Sequence, residues 1–137
     1  MKKNSSLTLL ILVFLATGIC AAEVPDLLGN WTGSWGGYDE VTGYSNSTDN
    51  GRINFAFTEQ EGRVFSGNLT INLENETEIG NDFAGAIGLD NKTLYIAEFG
   101  KGYALGTIIS NDEIELIYLM DGEGGSVAID RIYRIKA

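Results

Sequence analysis

The chain has 137 residues, with nineteen acidic side chains against nine basic ones, one cysteine and no histidine. This length suits one domain, and a formal net charge of −10 repels phosphate backbones, so nucleic acid is excluded as an expected partner. The lack of histidine and the single cysteine exclude histidine-based metal or acid–base sites and internal disulfides. We therefore predict no cofactor and no metal site.

The first 22 residues have the three parts of a secretory signal peptide. Lys2 and Lys3 follow Met1, residues 7–15 are almost wholly apolar, and the small residues of Cys20–Ala22 precede Glu23. We predict a signal peptide over 1–22, one mature domain over 23–137, and a secreted or extracytoplasmic cell-surface location. The alternative is an uncleaved N-terminal helix that anchors the protein, although the apolar stretch is short for a span of about 20 residues.

The mature chain alternates apolar and polar residues over short runs that Gly, Asn and Asp interrupt, which is typical of antiparallel sheets. Eight strands are predicted in chain order, over residues 28–38, 52–60, 64–73, 82–89, 93–99, 103–109, 113–120 and 126–136. Eight strands in series predict an all-β fold, an eight-stranded antiparallel up-and-down meander barrel without exposed edges. A two-sheet β-sandwich is the alternative.

Two connecting segments are not strand-like in sequence. Residues 74–81 form a polar connection, and the longer stretch 36–51 carries Tyr38, Tyr44 and many small polar residues. A connection of this length in a compact domain is often functional. We expect it to be either a lid over the barrel or a mobile surface loop.

Gly29-Asn30-Trp31 in the first strand resembles the Gly-x-Trp signature of the lipocalin and avidin barrels. The resemblance implies that Trp31 closes the barrel floor and that a basic residue of the last strand packs across it. The apolar face predicted for the last strand consists of Val127, Ile129, Tyr133 and Ile135, with Arg131 among them. Arg131 is the predicted partner of Trp31, because a cation on an apolar face needs an acceptor or an aromatic plane. Arg134 falls on the other face by strict alternation, although one bulge would exchange the two.

The wider chain also resembles a group of uncharacterised secreted proteins from methanogenic archaea. The stretches that carry this resemblance are 26–35, 83–99 and 106–134. The resemblance implies an extracytoplasmic location and brings no known activity. The polar residues with which avidins hold biotin do not align with this chain, so no biotin site is transferred.

Five Asn-x-Thr sequons lie in the mature chain, where chance would give about one. Their acceptors are Asn30, Asn46, Asn68, Asn75 and Asn91. All five fall on predicted loops, turns or outward strand faces, which favours N-glycosylation in a host that performs it. The alternative is that Asn and Thr simply suit turns and solvated strand faces.

An extracytoplasmic barrel that binds a small apolar or amphipathic ligand is the first functional hypothesis. The residues expected to line the ligand site are Trp35, Tyr38, Tyr44, Phe57, Tyr103 and Tyr118. Trp35, Tyr38 and the 36–51 connection are expected at the end away from Trp31, whereas the sequence does not give the height of Phe57, Tyr103 and Tyr118 in the barrel. Aromatic walls with hydroxyl tips suit such a ligand. The alternative is that these rings contact one another and fill the barrel.

A glycosylated cell-surface structural or interaction protein with a filled core is the second hypothesis. Ile117 and Leu119 lie on the face of their strand that should be solvated, so we predict a homo-oligomer through this outer face, together with Leu94 or Ile96. An enzyme is not expected, since the sequence indicates no pair of carboxylates facing each other across a cleft.

Overall fold

The computed structural model describes residues 23–47, 52–73 and 76–136, which form nine β-strands. The strands are β1 (Gly29–Asp39), β2 (Gly43–Asn46), β3 (Arg52–Glu61), β4 (Val64–Leu73), β5 (Glu76–Ile87), β6 (Thr93–Glu98), β7 (Tyr103–Ser110), β8 (Glu113–Met120) and β9 (Ser126–Arg134). The predicted signal peptide lies outside the described residues.

Eight of these strands close into one antiparallel barrel, and β2 extends its wall beside β1. Neighbouring strands from β3 to β9 pair in sequence order, β1 pairs with β3 over Gly29–Gly33, and β9 returns to pair with β1 over Trp31–Asp39. Closure pairs backbone groups that an open sheet would leave at its edges. The predicted up-and-down barrel is confirmed, and the sandwich alternative is wrong. Within the described ranges, we find no helix of the length and apolarity needed to cross a membrane.

Both segments predicted as connections contain strand, so these two predictions are wrong. β1 continues to Asp39 and turns into β2, which pairs Tyr38 with Tyr44. The described part of the expected lid is thus a hairpin in the barrel wall. β5 begins at Glu76, six residues earlier than predicted. Small polar residues have low intrinsic strand preference, but pairing with β9 and β4 overrides this preference.

Five aromatic rings fill the half of the barrel where β1 begins. Phe55, Phe57, Phe65 and Phe83 contact one another with ring centroids 5.3–6.4 Å apart, and Trp31 meets Phe57 edge-on at 6.0 Å. All five side chains are buried, and edge-to-face contacts of this kind add to the stabilisation from burial itself. This half of the barrel is therefore a filled core.

A glycine on β5 makes room for one of these rings. A Cβ atom added at Gly85 would lie 2.4 Å from the ring of Phe65 and 2.7 Å from the carbonyl oxygen of Tyr95. Real Cβ atoms do not approach other atoms so closely, so a larger residue at this position would displace the ring and disturb the packed core.

The N-terminal segment 23–28 closes this end of the barrel, which we call the floor. Leu27 is buried, and its N–H donates to the side-chain oxygen of Gln60 at 2.8 Å. The amide of Gln60 donates in turn to the carbonyl of Pro25 at 2.8 Å. The indole N–H of Trp31 donates to the carbonyl of Leu27 at 3.0 Å. Buried polar groups in the floor are thus paired, as a dry interior requires.

Arg134 completes the floor from the last strand. Its guanidinium carbon lies 4.3 Å from the centre of the Trp31 ring. The same group donates to the carbonyls of Leu28 at 2.5 Å, Asp26 at 2.7 Å and Asn111 at 3.1 Å. A planar guanidinium can stack on a ring and donate several hydrogen bonds at once, so one side chain ties the first strand, the last strand and the N-terminal segment together.

The predicted pairing of Trp31 with Arg131 is therefore wrong. Arg131 lies on the outer surface, where it forms ion pairs with Glu113 at 3.1 Å and Glu115 at 3.4 Å. The prediction exchanged the inward and outward faces of the last strand, because Asp130 and Ile132 are the buried residues. The apolar residues that were expected inside are exposed, namely Val127, Ile129, Tyr133 and Ile135.

Three alanine variants distinguish the two arginines. Trp31→Ala is expected to lower the free energy of unfolding by about 3–5 kcal/mol, as large aromatic truncations do. Arg134→Ala should lower it by about 1–3 kcal/mol, because it removes the ring contact and charge-assisted hydrogen bonds. The control, Arg131→Ala, should cost less than about 1 kcal/mol, since its ion pairs are exposed. Urea unfolding followed by circular dichroism measures all three, and equal losses for the two arginines would contradict the assignment.

Candidate functional site

A cavity of about 430 Å³ occupies the end of the barrel opposite the floor. Residues at the ends of strands form its mouth, among them Asp39 of β1, Met120 of β8 and Ser126 of β9. Its volume is within the range of about 300–1,000 Å³ that is usual for small-molecule sites. The barrel therefore has a filled half and a hollow half.

The wall of the cavity is mostly apolar. Trp35, Ile53, Leu69 and Ile71 line it. Ile53 and Leu69 belong to the buried core, and Trp35 and Ile71 pack against that core. The indole Nε1 of Trp35 is buried and has no hydrogen-bond acceptor in the described part of the chain. An unpaired buried N–H is costly, so this donor is available to a group that enters the cavity.

Asp130 is a buried carboxylate in this wall. It is 4% exposed and lies between Trp35 of β1 and Leu116 of β8 in the sheet register. Burial raises the pKa of Asp130 to about 7, and the negative charge of Glu98 adds to the rise. Within the described residues no hydrogen bond or ion pair reaches its carboxylate. A buried acid without such partners is an unusual structural residue.

Glu98 faces the same cavity from the end of β6. Burial raises the pKa of Glu98 to about 7. The amide Nδ2 of Asn81, which lines the same cavity, is buried and has no hydrogen-bond partner among the described residues. Burial also raises the pKa of the Tyr118 hydroxyl, and the charges of Glu98 and Asp130 contribute to this increase. Three titratable groups from β6, β8 and β9 thus interact in one cavity.

The positions of Tyr118 and of the charges at the mouth follow from local structure. A Cβ atom at Gly102 would lie 3.0 Å from the Tyr118 hydroxyl, so the absence of a side chain at this position of the β6–β7 turn leaves room for the phenol ring. Lys101 of the same turn lines the mouth. Asp39 at the end of β1 also lines the mouth, and its carboxylate accepts hydrogen bonds from the hydroxyl and the backbone N–H of Thr42. These bonds lower the pKa of Asp39, which keeps it charged at neutral pH.

The structure brings together three of the six predicted ligand-site residues. Trp35 and Tyr118 line the cavity, and Tyr38 borders its mouth. The ring of Tyr38, however, is 63% exposed and packs on Tyr44 outside the barrel, with ring centroids 5.3 Å apart. Tyr44 is therefore a residue of the outer surface.

Two further ligand-site predictions fall elsewhere. Phe57 is buried in the aromatic core near the floor, because it pairs with Gly29 at the start of β1. Tyr103 is 69% exposed and points outward, since Ala104 next to it is buried and neighbouring strand residues face opposite sides. The prediction that these two rings line the ligand site is wrong.

The sequence reasoning missed the two carboxylates. Asp130 was overlooked because it was assigned to the outward face of the last strand. Glu98 was overlooked because only the apolar residues of its strand were assigned to faces. The usable signal was parity: Asp130, Ile132 and Arg134 are two residues apart, so any argument that places Arg134 on Trp31 also places Asp130 inside. Within the described ranges, no cluster of three or more acidic, histidine or cysteine side chains is arranged to hold a metal ion.

An apolar surface crosses the outside of β6 to β9, β1 and β2. We call it the outer belt and define it by two register rows: Tyr95, Leu105, Ile117 and Ile129 in one, and Tyr103, Leu119, Val127, Tyr38 and Tyr44 in the other. These nine side chains are between 41% and 69% exposed. Leu94 and Ile96, which were predicted to join this face, are buried inside the barrel, so that part of the prediction is wrong.

The sequons occupy other parts of the surface. Asn30 of β1 and Asn68 of β4 are exposed and flank Ala56 of β3 in the register, away from the outer belt. Asn91 lies in the turn before β6, and Asn46 ends β2 beside Gly36. The sequon at Asn75 lies outside the described residues.

Comparison with known proteins bears on the fold. No protein-family model matches the chain, and no curated protein matches it. A redesigned β-barrel is similar in structure, with a TM-score of 0.57 and 14% sequence identity over 80% of this chain and 92% of that one. The S-type phycobiliprotein lyase CPES from Guillardia theta has a TM-score of 0.43 and 8% identity, over 81% of this chain and 89% of that one. The first similarity supports the barrel fold alone, and the second is too weak to support an argument.

The buried acid should make stability depend on pH. Below about pH 4 the carboxyl of Asp130 is protonated in both the folded and the unfolded state. Between about pH 4 and pH 7 it is ionised in the unfolded chain but still protonated in the folded barrel. The free energy of unfolding therefore falls as the pH rises through this interval. Asp130→Asn should therefore raise the free energy of unfolding at pH 8 by about 2–4 kcal/mol and change it little at pH 4.

Urea unfolding between pH 4 and pH 8 measures this effect. The matched control is Asp82→Asn, because Asp82 is exposed on β5 and its loss should leave the profile unchanged. A wild-type stability that rises over this interval, or equal profiles for wild type and Asp130→Asn, would contradict the buried position of the carboxylate.

Proposed function

We propose that this protein is a binding module that holds a small amphipathic molecule in the open half of the barrel, outside the cytoplasm. The observation that carries the proposal is the cavity of about 430 Å³ with an apolar wall and a few converging polar groups. Pockets of this composition bind ligands by area burial and orient them through hydrogen bonds.

The contrast between the two barrel halves supports this function over that of a filled structural protein. Near the floor, aromatic rings pack edge to face and leave glycines where a side chain would clash. Near the mouth, Trp35 keeps an unpaired N–H and Asp130 an unpaired carboxylate. Polar groups without protein partners in a cavity are the arrangement that a ligand completes.

The proposed location and modification rest on the sequence together with the surface. The signal-peptide pattern over residues 1–22 supports export, and the exposure of Asn30 and Asn68 supports their use as glycosylation sites. Glycans at these two positions would cover the polar side of the barrel and leave the outer belt free. Mass spectrometry of the protein from its own host tests both, and an unmodified chain that retains residue 1 would overturn them.

Catalysis is the second candidate, because two carboxylates with pKa values near 7 in a cavity could transfer protons. We favour binding, since acid–base catalysis generally uses groups whose environments separate their pKa values. Burial instead raises the pKa of Glu98 and the pKa of Asp130 to the same region. A bound compound recovered chemically unchanged supports a binding module, whereas conversion of that compound by purified protein would favour an enzyme.

We also propose that a second copy of this chain covers the outer belt. With nine side chains about half exposed, the belt offers on the order of 100 Å² per side chain, or roughly 900 Å² in all. A stable interface needs about 800 Å² from each partner. The belt contains no charged residue, so pairing two belts buries no unpaired charge.

Ligand binding is tested with the neutral fluorescent probe N-phenyl-1-naphthylamine. The probe should bind saturably with about one site per barrel. Trp35→Phe should weaken binding several-fold, because it removes cavity wall and the indole N–H. The control is Tyr103→Phe, which alters an exposed aromatic residue outside the barrel and should leave binding unchanged. No saturable binding to the wild type would overturn the ligand-binding function.

Self-association is tested by introducing charge into the outer belt. Ile117→Lys should leave the circular dichroism spectrum intact and lower the oligomeric state, because burying an unpaired ammonium in the interface is costly. Asn72→Lys places the same charge on the exposed polar side at β4 and should leave the oligomer unchanged. Light scattering measures both, and a strictly monomeric wild type at high concentration would exclude the second copy.

A further inference from the structure

We propose that the ligand is an amphipathic cation, an ammonium group with an apolar body, whose positive charge binds between Asp130 and Glu98. This inference rests on the proposed ligand-binding function and specifies its ligand class. Three observations carry it: the hollow mouth of the barrel, two inward carboxylates on its wall, and the absence of hydrogen-bonding or ion-pair partners for Asp130 among the described residues.

A structural role does not account for Asp130. Buried acids that support a fold accept several hydrogen bonds or pair with a cation. Asp130 is 4% exposed and stands on a strand where an apolar residue would pack against Leu116 and Trp35 without any desolvation cost. A second acid in the same cavity increases the cost, because like charges repel in a medium of low dielectric constant. A bound cation removes both penalties together.

Carboxylates outnumber cationic side chains in the lining of the cavity. Its lining contains three carboxylates, those of Asp39, Glu98 and Asp130, and one cationic side chain, Lys101. Lys101 stands in the exposed β6–β7 turn at the mouth and forms no ion pair within the described residues. The chain as a whole carries a net charge of −10. Such a field raises the local concentration of cations and repels anionic amphiphiles such as fatty acids.

The apolar wall supplies the rest of the recognition. Ile53, Leu69 and Ile71 from β3 and β4 line the same cavity as Asp130 of β9, so a head group at the carboxylates leaves the ligand body against aliphatic side chains. Trp35 lies beside Asp130 in the register, and the indole face is the best aromatic partner for a cation. A small inorganic cation would leave this wall uncovered, which is why the ligand is amphipathic.

Binding should couple to protonation. The groups that face Asp130 are Glu98 and the Tyr118 hydroxyl, with Lys101 and Asp39 further out at the mouth. With pKa values of about 7, Asp130 and Glu98 are each protonated in part of the empty molecules near pH 7. An entering cation displaces these protons because it favours the charged forms. Affinity for a cation should therefore rise from pH 5 to pH 8, whereas affinity for a neutral isostere should not.

Competition against N-phenyl-1-naphthylamine tests the ligand class with three ten-carbon compounds: decylamine, decanol and decanoate. At pH 8 decylamine should displace the probe at a concentration about tenfold or more below that of decanol, with decanoate weakest. At pH 5 the preference for decylamine should shrink. Asp130→Asn should abolish most of the preference while still binding the neutral probe, and Asp82→Asn should keep the preference. Glu98→Gln provides a second variant if Asp130→Asn does not fold.

The outcomes separate the two proposals. Probe binding with equal affinity for decylamine and decanol, or a cation preference that survives in both cavity variants, overturns the cationic ligand and leaves the binding module standing. Absence of probe binding overturns the binding module itself. Calorimetry in buffers of different ionisation enthalpy adds an independent readout, since decylamine should release about one proton per molecule bound near pH 7 and decanol none.

Discussion

The contact of Arg134 with Trp31 is the constraint on which the rest of the barrel depends. The guanidinium covers the indole ring and donates to three backbone carbonyls from the N-terminal segment and the β7–β8 turn. Trp31 and Arg134 are also directly opposed in the β1–β9 register, the pairing that closes the barrel. A one-residue slip of this register would move the arginine to the outside and leave the indole beside an apolar neighbour. A single polar contact therefore specifies how the two ends of the sheet pair.

Once that register is fixed, the alternation of strand residues determines both surfaces of β9. Asp130 and Ile132 must face inward with Arg134, and Val127, Ile129 and Tyr133 must face outward. The same parity therefore produces two features that look unrelated: a buried carboxylate in the cavity and an apolar belt on the surface. Each is unfavourable for an isolated monomer, the first because it desolvates an acid and the second because it exposes large apolar side chains.

The strands that could be predicted from the sequence are those with a single apolar face. In β3 and β4, Phe55 and Leu69 alternate with Asn54 and Asn68, and burial follows this alternation over Ile53–Phe57 and over residues 68–72. β9 could not be assigned in the same way, because its outward face is the more hydrophobic of the two and its inward face contains Asp130 and Arg134. Hydrophobicity predicts which face of a strand is buried from the free energy of transfer out of water. This prediction fails where an aromatic ring, a ligand or a second chain offsets the cost of burying a polar residue or of exposing an apolar one. The candidate site was missed for that reason, because its polar groups include Asp130, a charged residue on a buried face.

The two ends of the barrel differ in how well their buried polar groups are paired. At the floor, aromatic packing and paired polar groups stabilise closure, and the N-terminal segment excludes water. At the mouth, groups without partners reduce stability, which is tolerated because the floor holds the same eight strands together. A cation that entered the cavity would bind the folded barrel and not the unfolded chain, so its binding free energy would add directly to the stability of the fold. The raised pKa values of Asp130 and Glu98 would place this coupling near neutral pH, where part of the empty molecules hold protons that the cation would displace. A proton and the proposed cation would thus compete for the same two carboxylates, and a fall in pH would favour release of the cation without any movement of the barrel wall.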